Sequence, residues 1–183
     1  MASDAARLCD AVAQLNGKYG SRKSLSSLPA SAQQIVEALG QFMDCVRYLN
    51  TRRSEAAILK LDSEAAVQDA LFLMLRPWIT DLTWENPTDK IAGRFAIKDF
   101  LSKSARVVIE AKYVRDAAHG KNLTKELHDD IENYRNHSHC RDLVFFVYDP
   151  DVFIPDRQAL ERQIVVNREY DGVPLSCHLV VKP

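Results

Sequence analysis

The chain has 183 residues, 46% of them hydrophobic and 27% charged, with 24 Lys and Arg against 25 Asp and Glu and a formal net charge of -1. That length suits one domain with an appendage rather than two full domains, and folding buries roughly 70% of the unfolded surface, enough for a core without disulfides or a structural metal. The even charge excludes chain-wide polycationic binding, so any contact with nucleic acid must come from a local basic patch.

The four cysteines, Cys9, Cys45, Cys140 and Cys177, have no metal-like spacing, and Met1 to Asp10 has no signal-peptide pattern. Both point to a reducing, cytoplasmic location. The longest apolar runs, such as Leu143 to Tyr148, are too short to span a membrane, so no membrane partner is expected.

Taken in order, Asp4 to Leu15 can form a short helix and Gly17 to Ser27 reads as a loop. A stronger helix is predicted from Ser31, where Ile35, Leu39, Phe42, Val46 and Leu49 make an apolar stripe. Asp62 or Ser63 can cap a helix that reaches Leu75 and is ended by Pro77. Asp81 to Glu85 is a short strand, and Asn86 to Arg94 a Pro/Gly loop. Phe95 to Leu101 and Ala105 to Tyr113 form a hairpin around a polar turn at Ser102 to Ser104. A loop containing Gly120 precedes a helix from Leu123 to Asn136, with a stripe of Leu123, Leu127, Ile131 and Tyr134. Leu143 to Tyr148 is a buried strand, Pro155 to Arg162 a short helix and Leu175 to Val181 a last strand. From Asp62 to Tyr148 the order is α-β-β-β-α-β.

The chemistry concentrates between Asp99 and Lys112. Val107, Val108 and Ile109 give the second hairpin strand an apolar body, and Glu110 and Lys112 follow at its end. Strand side chains alternate, so Glu110 and Lys112 share a face with Ala111 opposite. A strand this apolar belongs inside a sheet, where charges are costly unless paired or bound to metal. Asp99 on the preceding strand brings a second carboxylate beside Glu110. Glu64 and Gln68, one helical turn apart, share a stripe with Val67, Leu71 and Leu75 and therefore face the sheet.

This order, with Lys98-Asp99 on one strand and Glu110-Ala111-Lys112 on the next, resembles the PD-(D/E)XK nuclease superfamily. Ser63-Glu-Ala-Ala-Val-Gln-Asp-Ala-Leu, Asp130-Ile-Glu-Asn-Tyr134 and Asp142-Leu-Val-Phe-Phe-Val-Tyr-Asp-Pro150 resemble its DpnII/MboI-like branch, which is often linked to phage defence. The likeness covers about Asp62 to Pro155. Two positions depart from the pattern: Lys98 stands at the nominal proline, and Ile97 where the branch suggests a basic residue.

The resemblance implies a restriction-endonuclease-like α/β fold, an α-β-β-β-α-β core with a mixed central sheet, preceded by N-terminal helices. The division is an N-terminal helical segment at 1–53 and a nuclease-like domain at 54–183. It also implies Mg²⁺- or Mn²⁺-dependent hydrolysis of DNA phosphodiesters, with Asp99, Glu110 and the Ala111 carbonyl as oxygen donors. Mg²⁺ keeps several waters, so few protein donors suffice. Lys112 would hold the attacking water and offset phosphate charge, while Glu64, with Gln68 beside it, would support the metal directly or through water.

Each assignment has a plainer competitor. Glu110 and Lys112 could be a solvated pair on an edge strand, and Glu64 could merely cap its helix. Lys98, Arg115, Lys121 and Lys125 are candidate phosphate contacts, although solvated helix charges are the commoner case. His137, His139 and Cys140 are better read as a polar helix-to-strand turn than as a zinc site. The helix from Ser31 either packs on its own domain or mediates association, as a homo-oligomer or with a larger defence-system partner. The alternative functions are a catalytically silent binding or assembly module and a structure-specific DNA repair nuclease.

Overall fold

The computed structural model describes residues 30–51, 57–87 and 97–183, with backbone alone at 85–87 and 97–98. The expected helix at Asp4 to Leu15, the loop at Gly17 to Ser27 and most of the Asn86 to Arg94 loop lie outside the described residues.

The helix expected from Ser31 is two helices, α1 (Ala32–Gly40) and α2 (Phe42–Thr51). Ser31 caps α1 through a reciprocal pairing with Gln34, which satisfies two orphan donors of the first turn. The break falls at Gly40-Gln41, where the Gln41 amide turns back to Ala38 and Leu39. The apolar stripe continues across the break, and Ile35, Leu39, Phe42 and Val46 are all buried. They pack in one cluster with Val67, Leu71, Ile109 and Phe146. The Phe42 and Phe146 rings meet edge-on with centroids 4.8 Å apart. The stripe therefore covers the sheet of its own chain, which removes it as a free surface for association.

Ser63 caps α3 (Glu64–Leu75), as expected. Then come β1 (Thr83–Pro87), β2 (Ile97–Ser102), β3 (Val107–Tyr113), α4 (Ala117–Tyr134), β4 (Asp142–Tyr148), α5 (Arg157–Ile164), β5 (Asn167–Tyr170) and β6 (Val173–Lys182). The strands form one mixed sheet in the order β1-β2-β3-β4-β6-β5. β3, β4 and β6 run parallel, and the outer pairs are antiparallel.

Alternation along β4 explains the layering. Val144 and Phe146 join the α1–α3 side, while Leu143, Phe145 and Val147 join Leu123, Leu127, Ile131 and Leu160 on the α4–α5 side. Both faces are covered, so β3 and β4 carry apolar runs rather than strict alternation. Among the described residues no helix is long and apolar enough to cross a membrane.

Two sequence expectations need correction. α4 starts at Ala117, capped by Asp116, so Gly120 lies inside the helix rather than in a loop. Its role is steric: a Cβ there would stand 2.4 Å from the Phe153 carbonyl oxygen. The sequence reading also omits β5. Asp171 and Gly172, both at positive φ (51° and 75°), turn the chain between β5 and β6, as the Asp-Gly pair of a tight hairpin does.

Candidate active site

Strand pairing opens the site. β2 pairs with β3 through Phe100, Leu101 and Ser102 opposite Ile109, Val108 and Val107, and the pairing goes no further. The same register would set Asp99 opposite Glu110. Instead the Ala111 amide donates to Asp99 Oδ2 at 2.6 Å. A side chain takes the place of a backbone ladder bond, and the gap it leaves holds both carboxylates.

β3 lies between β2 and β4, and its residues Val107 to Ala111 are buried. Glu110 is 4% exposed. The edge-strand alternative for Glu110 and Lys112 therefore fails. Burial, followed by the charge of Asp99, pushes the Glu110 carboxyl well above its ordinary range, against the opposing effect of the Tyr134 hydroxyl that donates to Glu110 Oε1. Burial also pushes Asp99 up to about 6, with Glu64 adding to the rise and the Ala111 amide and Lys112 opposing it. Burial and neighbouring negative charge thus oppose ionisation of both carboxyls, and a cation joining them would favour it.

Lys112 shares the α4-facing side with Glu110, as alternation requires, and its Nζ lies 2.9 Å from Asp130 Oδ2. Burial works against the ammonium charge, but Asp130, Glu110 and Glu64 outweigh it and hold the Lys112 pKa above its usual value. Burial raises the Asp130 carboxyl, with Lys112 opposing.

From the other side of the sheet, α3 supplies Glu64 and Gln68. The Tyr113 amide donates to Glu64 Oε2 at 3.3 Å, and the Gln68 side chain hydrogen-bonds to Asp99. Glu64 is thus directed at the backbone just beyond Lys112. Among the described residues no three His, Cys, Asp or Glu side chains converge tightly enough to share a metal. The acidic centre is a pair, Asp99 and Glu110, with Glu64 beside it.

Asp130 and Tyr134 are the site residues that the sequence reading does not assign. They stand four apart on α4, one helical turn, on the side that meets β3. Tyr134 falls in the apolar stripe, which conceals its hydroxyl. Arg115, Lys121 and Lys125 are exposed at and along the first half of α4, with Arg115 Nε 3.6 Å from Asp116. The Lys98 side chain lies outside the described residues. His137, His139 and Cys140 sit in the turn between α4 and β4, where the His139 amide donates to His137 Nδ1 at 3.2 Å.

A sequence model of the DpnII-MboI restriction endonuclease (REase) family matches residues 33–175, most of the chain, including α1 and α2 as well as the site. No curated protein and no solved structure matches significantly. The chain belongs to the DpnII-MboI restriction endonuclease family, and the coarse activity that goes with it is that of a DNA nuclease.

Proposed function

We propose that this member of the family is a Mg²⁺-dependent endodeoxyribonuclease, with Mn²⁺ as a substitute, acting in restriction of invading phage DNA. One observation carries the reading: the buried Glu110 carboxyl at the end of a central strand, with Lys112 on the same face, meets the half-buried Asp99 of the neighbouring strand. Nothing in core packing accounts for that arrangement, whereas a hard cation does. The donor set fits such an ion. A strand residue directs its amide and carbonyl toward the same neighbour, so the Ala111 carbonyl faces the gap that its amide shares with Asp99. Two carboxylates, one carbonyl and retained waters meet the needs of Mg²⁺.

Bound there, the cation supplies charge neutralisation at the phosphate and lowers the pKa of a coordinated water. The remaining roles fall to side chains. Lys112 stays protonated, so it acts as a fixed positive charge that orients water and phosphate oxygen, not as a base. Asp130 holds the ammonium in place. Tyr134 occupies one Glu110 oxygen and directs the other toward the gap. Glu64 and Gln68 orient the β3 end and Asp99, with Glu64 supporting the ion through water. Arg115, Lys121 and Lys125 contact phosphates along the duplex, supplying a local basic patch on a chain of nearly zero net charge.

The second reading is a silent assembly module, and one observation favours it: Glu64 is engaged at the Tyr113 amide and no third carboxylate closes on the pair. Titration of Mn²⁺ by electron paramagnetic resonance separates the two. The nuclease reading expects one saturable site that is lost in Asp99→Asn or Glu110→Gln. Unchanged Mn²⁺ spectra in the presence of folded wild-type protein contradict it.

A further inference from the structure

A cavity of about 250 Å³ opens beside Asp99, lined by Gln68, Asp69 and Phe72 of α3, Trp84 of β1, and Asp99 and Phe100 of β2. Its wall is aromatic. Phe72 meets Trp84 edge-on with centroids 5.1 Å apart and stacks on Phe100 at 6.2 Å. Trp84 is 61% exposed although its neighbour Phe72 is half-buried. Exposing so large an apolar side chain beside an open cleft costs solubility.

Resting on the nuclease reading, we propose that this cavity receives a single unpaired nucleobase of the DNA strand under cleavage, stacked on Trp84. Three features of the wall select that occupant. Among the described residues its lining carries two carboxylates and no lysine or arginine, so that part of the wall offers a bare phosphate no counter-charge. Its aromatic faces suit a flat neutral ring, and stacking on such faces is tolerant of base identity. The cavity shares Asp99 with the carboxylate pair, so a base seated there belongs to a nucleotide at or next to the scissile phosphate. Gln68 and Asp69 offer an amide and a carboxylate to the edge of the ring. The implied substrate preference is DNA whose base leaves the stack cheaply: single strands, mispairs or frayed sites.

The test is photocrosslinking of full-length protein, in Ca²⁺ to hold DNA without cutting, to an oligonucleotide carrying one 5-iododeoxyuridine at a mispair. The proposal expects the crosslink on Trp84 or Phe72, and more of it than with a fully paired control. In parallel, Trp84→Ala should bind the mispaired probe roughly 5- to 100-fold more weakly, and Trp84→Phe should recover most of the loss. Crosslinks confined to other residues, with plasmid cleavage intact, overturn the base pocket and leave the nuclease reading standing. Wild-type protein that neither binds nor cleaves any DNA overturns both. In a Trp78→Phe background, a tryptophan emission that shifts with protein concentration alone, together with dissociation of Trp84→Ala in sedimentation, identifies a second copy as the occupant and overturns the proposal.

Discussion

At the residue scale, electrostatics makes the strongest claims. An unfolded aspartate titrates near 4, whereas folded Asp99 is raised to about 6. Between those values the folded state binds more protons than the unfolded, so metal-free stability falls as pH rises from about 4 to about 6. The part of that slope due to Asp99 should vanish in Asp99→Asn, measured by denaturant unfolding in chelator at several pH values. Asp99→Asn and Glu110→Gln should abolish cleavage without lowering the melting temperature in chelator, because each relieves repulsion between two desolvated carboxyls. A steeper pH dependence in Asp99→Asn than in wild type would refute the assignment. Asp130 yields a different expectation. As the partner that positions Lys112, its replacement in Asp130→Asn should slow cleavage about 10- to 100-fold while Mn²⁺ binding persists, and loss of Mn²⁺ binding would make it a ligand instead. Glu110 and Lys112 were legible because their charges end an apolar strand. Asp130 and Tyr134 lie in a segment that carries the family resemblance, but their roles were not legible, because a helix stripe read for apolar spacing counts Tyr134 as core and gives Asp130 no partner.

At the element scale, Gly120 sets two magnitudes against each other. Alanine in place of glycine favours a helix interior by about 1 kcal/mol. Here the added Cβ meets the backbone oxygen of Phe153 at 2.4 Å, and overpacking against backbone costs roughly 1–3 kcal/mol or more. The clash should win, so Gly120→Ala lowers the melting temperature, by about 2–4 °C per kcal/mol in a chain of this size, with activity per folded molecule unchanged. A stabilised variant would show that α4 shifts freely against the loop after β4. Leu39→Asp and Phe42→Asp should unfold the protein rather than dissociate it, since both side chains are essentially inaccessible, and circular dichroism with light scattering distinguishes the outcomes. The reading found elements well where apolar runs or caps marked them, as at Ser63 and β4. It missed β5 because Asn167 to Tyr170 alternates between exposed and half-buried positions and carries little apolar signal; the Asp-Gly turn was the cue available. The sequence starts α4 at Leu123, after Gly120, rather than at Ala117, because a glycine kept for close approach looks, in sequence, like one kept for a loop.

At the scale of the whole molecule, the fold is a covered mixed sheet whose central strand carries its charges into a gap between β2 and β3. The order of elements was legible because each reads locally. The gap was not, because it depends on where a strand ladder stops, and that is fixed by the Asp99 side chain replacing a backbone acceptor. The N-terminal helices complete one layer of the sheet, and the proposed DNA surface lies around α4, the β2–β3 opening and the cavity beside Asp99. The most direct test of the account is cleavage of supercoiled plasmid by purified full-length protein in Mg²⁺, in Mn²⁺ and in excess chelator, beside folded Asp99→Ala, Glu110→Ala and Lys112→Ala. The account predicts metal-dependent nicking or linearisation by wild type that is absent in chelator and in all three variants. Cleavage retained in chelator, or in folded Asp99→Ala or Glu110→Ala, would contradict it.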